Sequence, residues 1–189
     1  MPLPKDDLTI FSSYLNRVFV ETGSYSGEGI EVALSLGVTN IKSLEIEESL
    51  YLHLLQRYRK DNRVELFHGD SGEILRNVIS KIDEPITFWL DAHNSNPDLE
   101  PFGFNTALMA ELEQIKKHHR NDHTILVDDI RTLGTPAMDN ISKEDVVLML
   151  QQINPDYVID CIDGPRPPLV GSYTFIKDIL VASPNEKNN

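Results

Sequence analysis

The sequence predicts an α/β fold: a doubly wound, mostly parallel seven-stranded sheet that ends in an antiparallel hairpin. Three observations predict it. Short β-rich runs alternate with helical patterns along the chain. The runs in the middle, Ile86-Thr87-Phe88-Trp89-Leu90 and Ile125-Leu126-Val127, are almost continuously apolar. The last two runs are joined by a Pro- and Gly-rich stretch with no room for a helix.

Strand–helix–strand repetition makes βαβ units, which build a parallel sheet covered on both faces. Strands read at 17–21, 41–46, 64–68, 86–91, 124–128, 157–162 and 173–181. Helices read at 28–36, 48–60, 71–81, 105–119 and 143–152. In helix 48–60, Leu50, Leu54 and Leu55 make one apolar face. Ser142 and Asp145 have the form of a capping box opening the last helix. The continuous apolar strands suit central positions, buried on both sides. Residues 163–172 read as a hairpin, so the final pair of strands is antiparallel.

A chain of 189 residues fits one domain, read here as 1–182 with a loose polar tail at 183–189. The net charge of −13 would repel a phosphate backbone, and the Lys and Arg residues make no continuous stripe. Nucleic acid is therefore not an expected partner. No apolar run reaches the roughly 18 residues that a membrane span needs. The first residues lack the basic-then-apolar pattern of a signal peptide. Cys161 is the single cysteine, which rules out a disulfide within the chain or a multi-cysteine zinc site. It reads as a small buried hydrophobe in a reducing, cytoplasmic setting. His53 and His118 fall on helices as solvated side chains, and His119 and His123 flank a turn; none makes a zinc constellation.

The first strand runs through Val20 and Glu21 into Thr22-Gly23-Ser24-Tyr25-Ser26-Gly27-Glu28-Gly29. This is a tight strand-to-helix turn at the C-terminal edge of the sheet, where open α/β folds bind ligands. A dinucleotide loop read from Gly27 and Gly29 meets Val32 where a small residue belongs. It also puts Glu28 beside the anion that such a helix start receives. Glu45 follows Gly23 by 22 positions, close to the separation of an acid that accepts ribose hydroxyls. Asp70 and Ser71 end the third strand and also suit the N-cap of the next helix.

The fourth strand stops at Asp91-Ala92-His93 and the fifth at Asp128-Asp129-Ile130-Arg131. These strands are neighbours in a doubly wound order, so three carboxylates can converge. Buried charge must be paired or bound to a cation. Oxygen ligands of this kind suit Mg²⁺. Equally, Arg131 can neutralise the acids, or Asp128 and Asp129 can cap the next segment.

Together these motifs resemble class I S-adenosylmethionine-dependent methyltransferases. The pattern is most similar to the macrocin-type and catechol-type O-methyltransferases of small molecules. The resemblance implies a Rossmann-like fold with S-adenosylmethionine as cofactor. Glu21, Gly23, Ser24 and Gly27 would surround its methionine part, Glu45 its ribose, and Asp70 and Ser71 its adenine. Asp91 would lie beside the reacting methyl. Asp91 or His93 would serve as base, and Asp91, Asp128 and Asp129 would hold Mg²⁺. Two positions depart from the pattern: Tyr25 replaces a central glycine, and Asn94 replaces a Lys of the catechol type. Loops 92–104, 130–140 and 163–172 would form the acceptor pocket, with Phe102, Phe104 and Leu169 as its apolar wall. The expected partner is a small-molecule or sugar acceptor, with a second copy of the chain completing the pocket. A nicotinamide-dependent oxidoreductase and a non-catalytic binding module are the alternatives.

Overall fold

Five parallel strands carry the site. In the computed structural model, which describes residues 11–93, 106–163 and 177–185, they are β1 (Val18–Thr22), β2 (Asn40–Glu45), β3 (Val64–His68), β4 (Ile86–Leu90) and β5 (Thr124–Val127). Helices α1 (Glu28–Ser35), α2 (Glu48–Tyr58), α3 (Ser71–Ile79) and α4 (Leu108–Lys116) alternate with them. Helix α5 (Lys143–Ile153) leads to β6 (Val158–Ile162) and β7 (Ile179–Ser183).

The sheet order is β3-β2-β1-β4-β5-β7-β6. Strand β7 runs antiparallel to both β5 and β6, as the hairpin reading required. From β1 the chain winds outward to β2 and β3, then returns to β4 on the other side of β1. The connections after β1 and β4 therefore diverge, and a crevice opens between their C-terminal ends.

Alternating side chains divide the core into two layers. Ile86, Phe88, Leu90, Ile125 and Val127 pack with α3, α4 and α5 residues such as Leu75, Leu112 and Leu150. Trp89 and Leu126 point the other way, with Phe11, Ile30 and Ala33. Every residue of β4 and β5 is buried. Ser142 and Asp145 form the capping box at α5.

Several expectations need correction. Leu54 is fully buried, but Leu55 is 42% exposed: adjacent helical residues diverge by about 100°, so both cannot share the inner face. The fourth helix closes at Lys116, short of His119, because Lys117 and His118 turn their N–H groups back to Gln114 and Ile115. His118 is half-buried, not solvated, and packs at a tilt against His123, which is fully buried. Cys161 is half-buried on the edge strand β6, with Lys143 Nζ 3.1 Å from its sulfur. Strand β7 begins at Ile179; residues 173–176 of the expected strand lie outside the described residues.

Candidate active site

The glycine loop is strapped to the neighbouring strand, with Gly23 N and Ser24 N both donating to Leu44 O, at 2.9 and 3.1 Å. Gly23 has φ of +78°, and a Cβ there would sit 2.6 Å from the Asp91 carbonyl oxygen. Only glycine lets β1 turn so close to the end of β4. Gly27 takes the N-cap of α1 in the left-handed region.

Beneath this loop lies a buried polar chain. Glu21 is 2% exposed and accepts the Ser43 hydroxyl at 2.6 Å; the Ser43 and Ser24 hydroxyls are 2.5 Å apart. Glu21 Oε1 reaches the start of α1, 1.8 Å from where a Cβ on Gly29 would be. Burial pushes the Glu21 carboxyl up to about 8, against the Ser43 hydrogen bond that favours its charge. Glu21 and Ser24 thus support the loop from below.

Glu45, at the end of β2, accepts Tyr25 N at 2.8 Å on one oxygen and Glu47 N at 2.9 Å on the other. Burial raises its pKa, although both amides favour the charged form. Tyr25 stands where the pattern that the loop resembles has a central glycine. It has φ of +45° with its side chain 65% exposed, a backbone conformation that L-residues seldom adopt. Asp70 is the N-cap of α3, accepting Gly72 N at 2.8 Å. Ser71 is buried and donates its hydroxyl to Glu111.

Beyond β4, His93 lies between two carboxylates. Its Nε2 is 2.9 Å from Asp129 Oδ2 and its Nδ1 is 3.2 Å from Asp91 Oδ1. Asp129 and then Asp91 push the imidazole up to about 10, so it is a cation at neutral pH. Burial pushes the Asp129 carboxyl up, but His93 and Arg131 outweigh it and hold the group below its ordinary value. Arg131 also pairs with the buried Asp178, which accepts Arg131 N at 3.0 Å. Asp128 takes the Asp129 N–H at 2.8 Å, while burial and then Asp91 and Asp129 raise its pKa.

Candidate metal donors thus gather in two sets: Asp91, His93 and Asp129, and Asp128, Asp129 and Asp178. His93, expected as a base, and Asp178, which the sequence did not single out, join the expected acids. Glu111 was missed as well. It lies on α4 between Leu108 and Leu112, and a carboxylate on an otherwise apolar helical face was the available signal. Asp178 had no such signal, because nothing in the chain marks that its backbone will meet Ile130, just beyond β5.

A small cleft is lined by Asp91, His93, Thr106, Glu111 and Met138 among others. Met138 comes from the 130–140 loop, which forms two single turns of 3-10 helix. Phe102, Phe104, Leu169 and Asn94 lie outside the described residues.

No protein-family model matches the sequence, and no curated protein matches it. Solved structures do match. An O-methyltransferase from Bacillus cereus, in complex with S-adenosylhomocysteine, aligns at 18% identity over 93% of this chain and 78% of its own, with a TM-score of 0.57. TomG from Streptomyces achromogenes is an O-methyltransferase involved in tomaymycin synthesis, solved with S-adenosylmethionine. It aligns at 15% identity over 94% and 78%, with a TM-score of 0.56. A precorrin-6y C5,15-methyltransferase from Geobacter metallireducens aligns at 13% identity over 96% and 88%, with a TM-score of 0.55. Identities this low speak for architecture and leave chemistry to the site. The chain has the Rossmann-like fold of the class I methyltransferases.

Proposed function

We propose that this protein is an S-adenosylmethionine-dependent methyltransferase that methylates an oxygen of a small molecule or sugar. The observation that carries the reading is the acidic sheet edge at the start of α1, where a dinucleotide fold would receive its anionic pyrophosphate. Glu21 packs beneath that edge, under Gly29, where burial favours its protonated form. Glu45, Asp70, Asp91 and Glu111 make the same sheet edge acidic. A ligand bearing a sulfonium and an ammonium group suits that field, and a pyrophosphate does not.

The residues fit such a cofactor. Gly23 leaves the close approach open between the loop and β4. Gly27 starts α1 without a side chain in the way. Each oxygen of Glu45 accepts one amide and keeps a second acceptor site for a ribose hydroxyl. Asp70 uses Oδ1 for its cap and keeps Oδ2 for the adenine amino group, beside Ser71. Bound there, the cofactor supplies a methyl group on positively charged sulfur, an electrophile ready for in-line attack. Of the two expected bases, His93 already carries its proton. Asp91 is therefore the acceptor of the hydroxyl proton, with the His93 imidazolium 3.2 Å from it.

A divalent cation fits the observed donors less well. In one set His93 spans Asp91 and Asp129; in the other Arg131 spans Asp129 and Asp178. Mg²⁺ at either place must displace a cation that the chain provides, so no step is assigned to it. The domain we assign spans 1–182 and acts in the cytoplasm on a small-molecule acceptor, with a second copy completing the pocket and no nucleic-acid or membrane partner. No described helix is long and apolar enough to cross a membrane.

The test is transfer of a labelled methyl group from S-adenosylmethionine to a panel of polyhydroxylated aromatics and sugars. Label in one acceptor class, with matching release of S-adenosylhomocysteine, supports the reading. No transfer, together with reduction of NAD⁺ by the same panel, overturns it.

A further inference from the structure

Helix α4 brings one carboxylate to the floor of the crevice. Glu111 is 1% exposed and lines the cleft with Leu90, Asp91, Ala92 and His93 from the end of β4. The Ser71 hydroxyl, at the start of α3, donates to Glu111 Oε1, and Thr22, the last residue of β1, lies against the same carboxyl. One helical turn further on, Gln114 Nε2 donates to the carbonyls of Ser71, at 3.0 Å, and Gly72. Gln114 Oε1 accepts Arg76 N at 2.7 Å. These bonds fix α4 against the first turn of α3 and hold Glu111 in one place. It sits where β1 and β4 part, below the point at which their connections diverge.

The charge of Glu111 is not answered by the chain. Asp91, Asp129 and Asp178 each have His93 or Arg131 beside them. Among the described residues, no ion pair includes Glu111. The charged groups facing it are Asp70 from the α3 cap and Asp91 from β4, both acidic, with His93 across the cleft. An anion buried without a counter-charge is costly until a cation arrives.

We propose that Glu111 is the buried anion that recognises the positive charge of the bound cofactor, and so distinguishes the methyl donor from its demethylated product. The inference rests on the methyltransferase reading. S-adenosylmethionine carries a sulfonium, whereas S-adenosylhomocysteine carries a neutral thioether and is otherwise the same molecule. A carboxylate in a low-dielectric floor favours the first over the second. Burial, then Asp70 and Asp91, push the Glu111 carboxyl up to about 7, while Ser71 and Thr22 favour its charge. Without a charge partner Glu111 is therefore a part-protonated acid, and a cationic ligand drives the proton off. When the methyl leaves and the cofactor becomes neutral at sulfur, that charge partner is lost and release of the product is favoured.

Calorimetry on the full chain tests this with S-adenosylmethionine and S-adenosylhomocysteine as the probes. Glu111→Gln keeps the shape and can still accept from Ser71, but removes the charge. It should lower affinity for S-adenosylmethionine by about tenfold or more while changing that for S-adenosylhomocysteine by less than about threefold. Equal losses for both ligands, or no loss for either, overturn the inference. The wild-type protein gives a second reading that needs no variant. In buffers of different ionisation enthalpy at neutral pH, S-adenosylmethionine should release more protons on binding than S-adenosylhomocysteine does. Equal proton release for the two ligands also overturns it. If neither ligand binds, the methyltransferase reading fails with it; if both bind alike, only the role of Glu111 fails.

Discussion

Glu21 Oε1 occupies the space in which a side chain on Gly29 would begin, 1.8 Å from the ideal Cβ position. The carboxylate is 2% exposed and tied to Ser43, so it cannot swing away cheaply. Gly29→Ala should therefore destabilise the protein by about 1–3 kcal/mol, the usual cost of overpacking. Denaturant unfolding measures it. The double variant with Glu21→Ala makes room, so its loss should be smaller than the two single losses added together. Strict additivity would mean that the two residues do not meet.

Glu45 holds the glycine loop through Tyr25 N and, on the proposed reading, the cofactor ribose. Glu45→Ala should weaken S-adenosylhomocysteine binding by about 1–3 kcal/mol, the cost of losing a charged hydrogen-bond acceptor. Calorimetry beside a melting curve separates lost contact from lost folding. Unchanged affinity in a folded variant would place the ribose elsewhere.

His123 gives the protein a pH dependence unrelated to the site. Its Nδ1 accepts Ile86 N at 3.2 Å, and its Nε2 lies 3.0 Å from His118 Nδ1. Burial, then His118, lower its pKa from 6.5 to about 4. The unfolded chain therefore takes up a proton below about pH 6.5 that the folded chain refuses. Stability linked to His123 is complete above that pH and falls by about 3 kcal/mol as pH drops towards about 4. Glu21 and Glu111, raised in the fold, act in the opposite sense: their contribution is present below the ordinary carboxylate range and lost as pH rises through about 8 and about 7 respectively. The clean measurement is the difference between the wild type and His123→Asn, which keeps an acceptor for Ile86 N but does not titrate. That difference should shrink on acidification; a constant difference would remove His123 from the account.

The metal question turns on His93. Because the imidazolium already spans Asp91 and Asp129, Mg²⁺ should leave the melting temperature of the wild type unchanged at neutral pH. His93→Ala removes that cation, and Mg²⁺ should then stabilise the variant. Stabilisation of the wild type by Mg²⁺, abolished in Asp129→Asn, would instead establish a metal centre.

The fold was legible because its signals are local. Five strand–helix alternations and a segment after Ile162 without room for a helix lead to one topology. The glycine loop, Glu45, Asp70 and Asp91 were legible because they end strands, and strand ends share one edge. What the sequence hides is pairing across the fold. The Ser43–Glu21 bond, the reach of Asp178 to Arg131 and the position of His93 between two acids depend on register between distant segments. Leu55 was misread because it follows Leu54 directly and two adjacent helical residues cannot share one face, and the closing turn of α4 because backbone groups at helix ends choose among several partners.

The most direct measurement of the central claim is a pair of calorimetric titrations of the full chain, one with S-adenosylhomocysteine and one with NAD⁺. A crevice edged by Glu45, Asp70, Asp91 and Glu111 predicts saturable binding of S-adenosylhomocysteine and no heat with NAD⁺. Saturable binding of NAD⁺, with no response to S-adenosylhomocysteine or S-adenosylmethionine, would contradict the account.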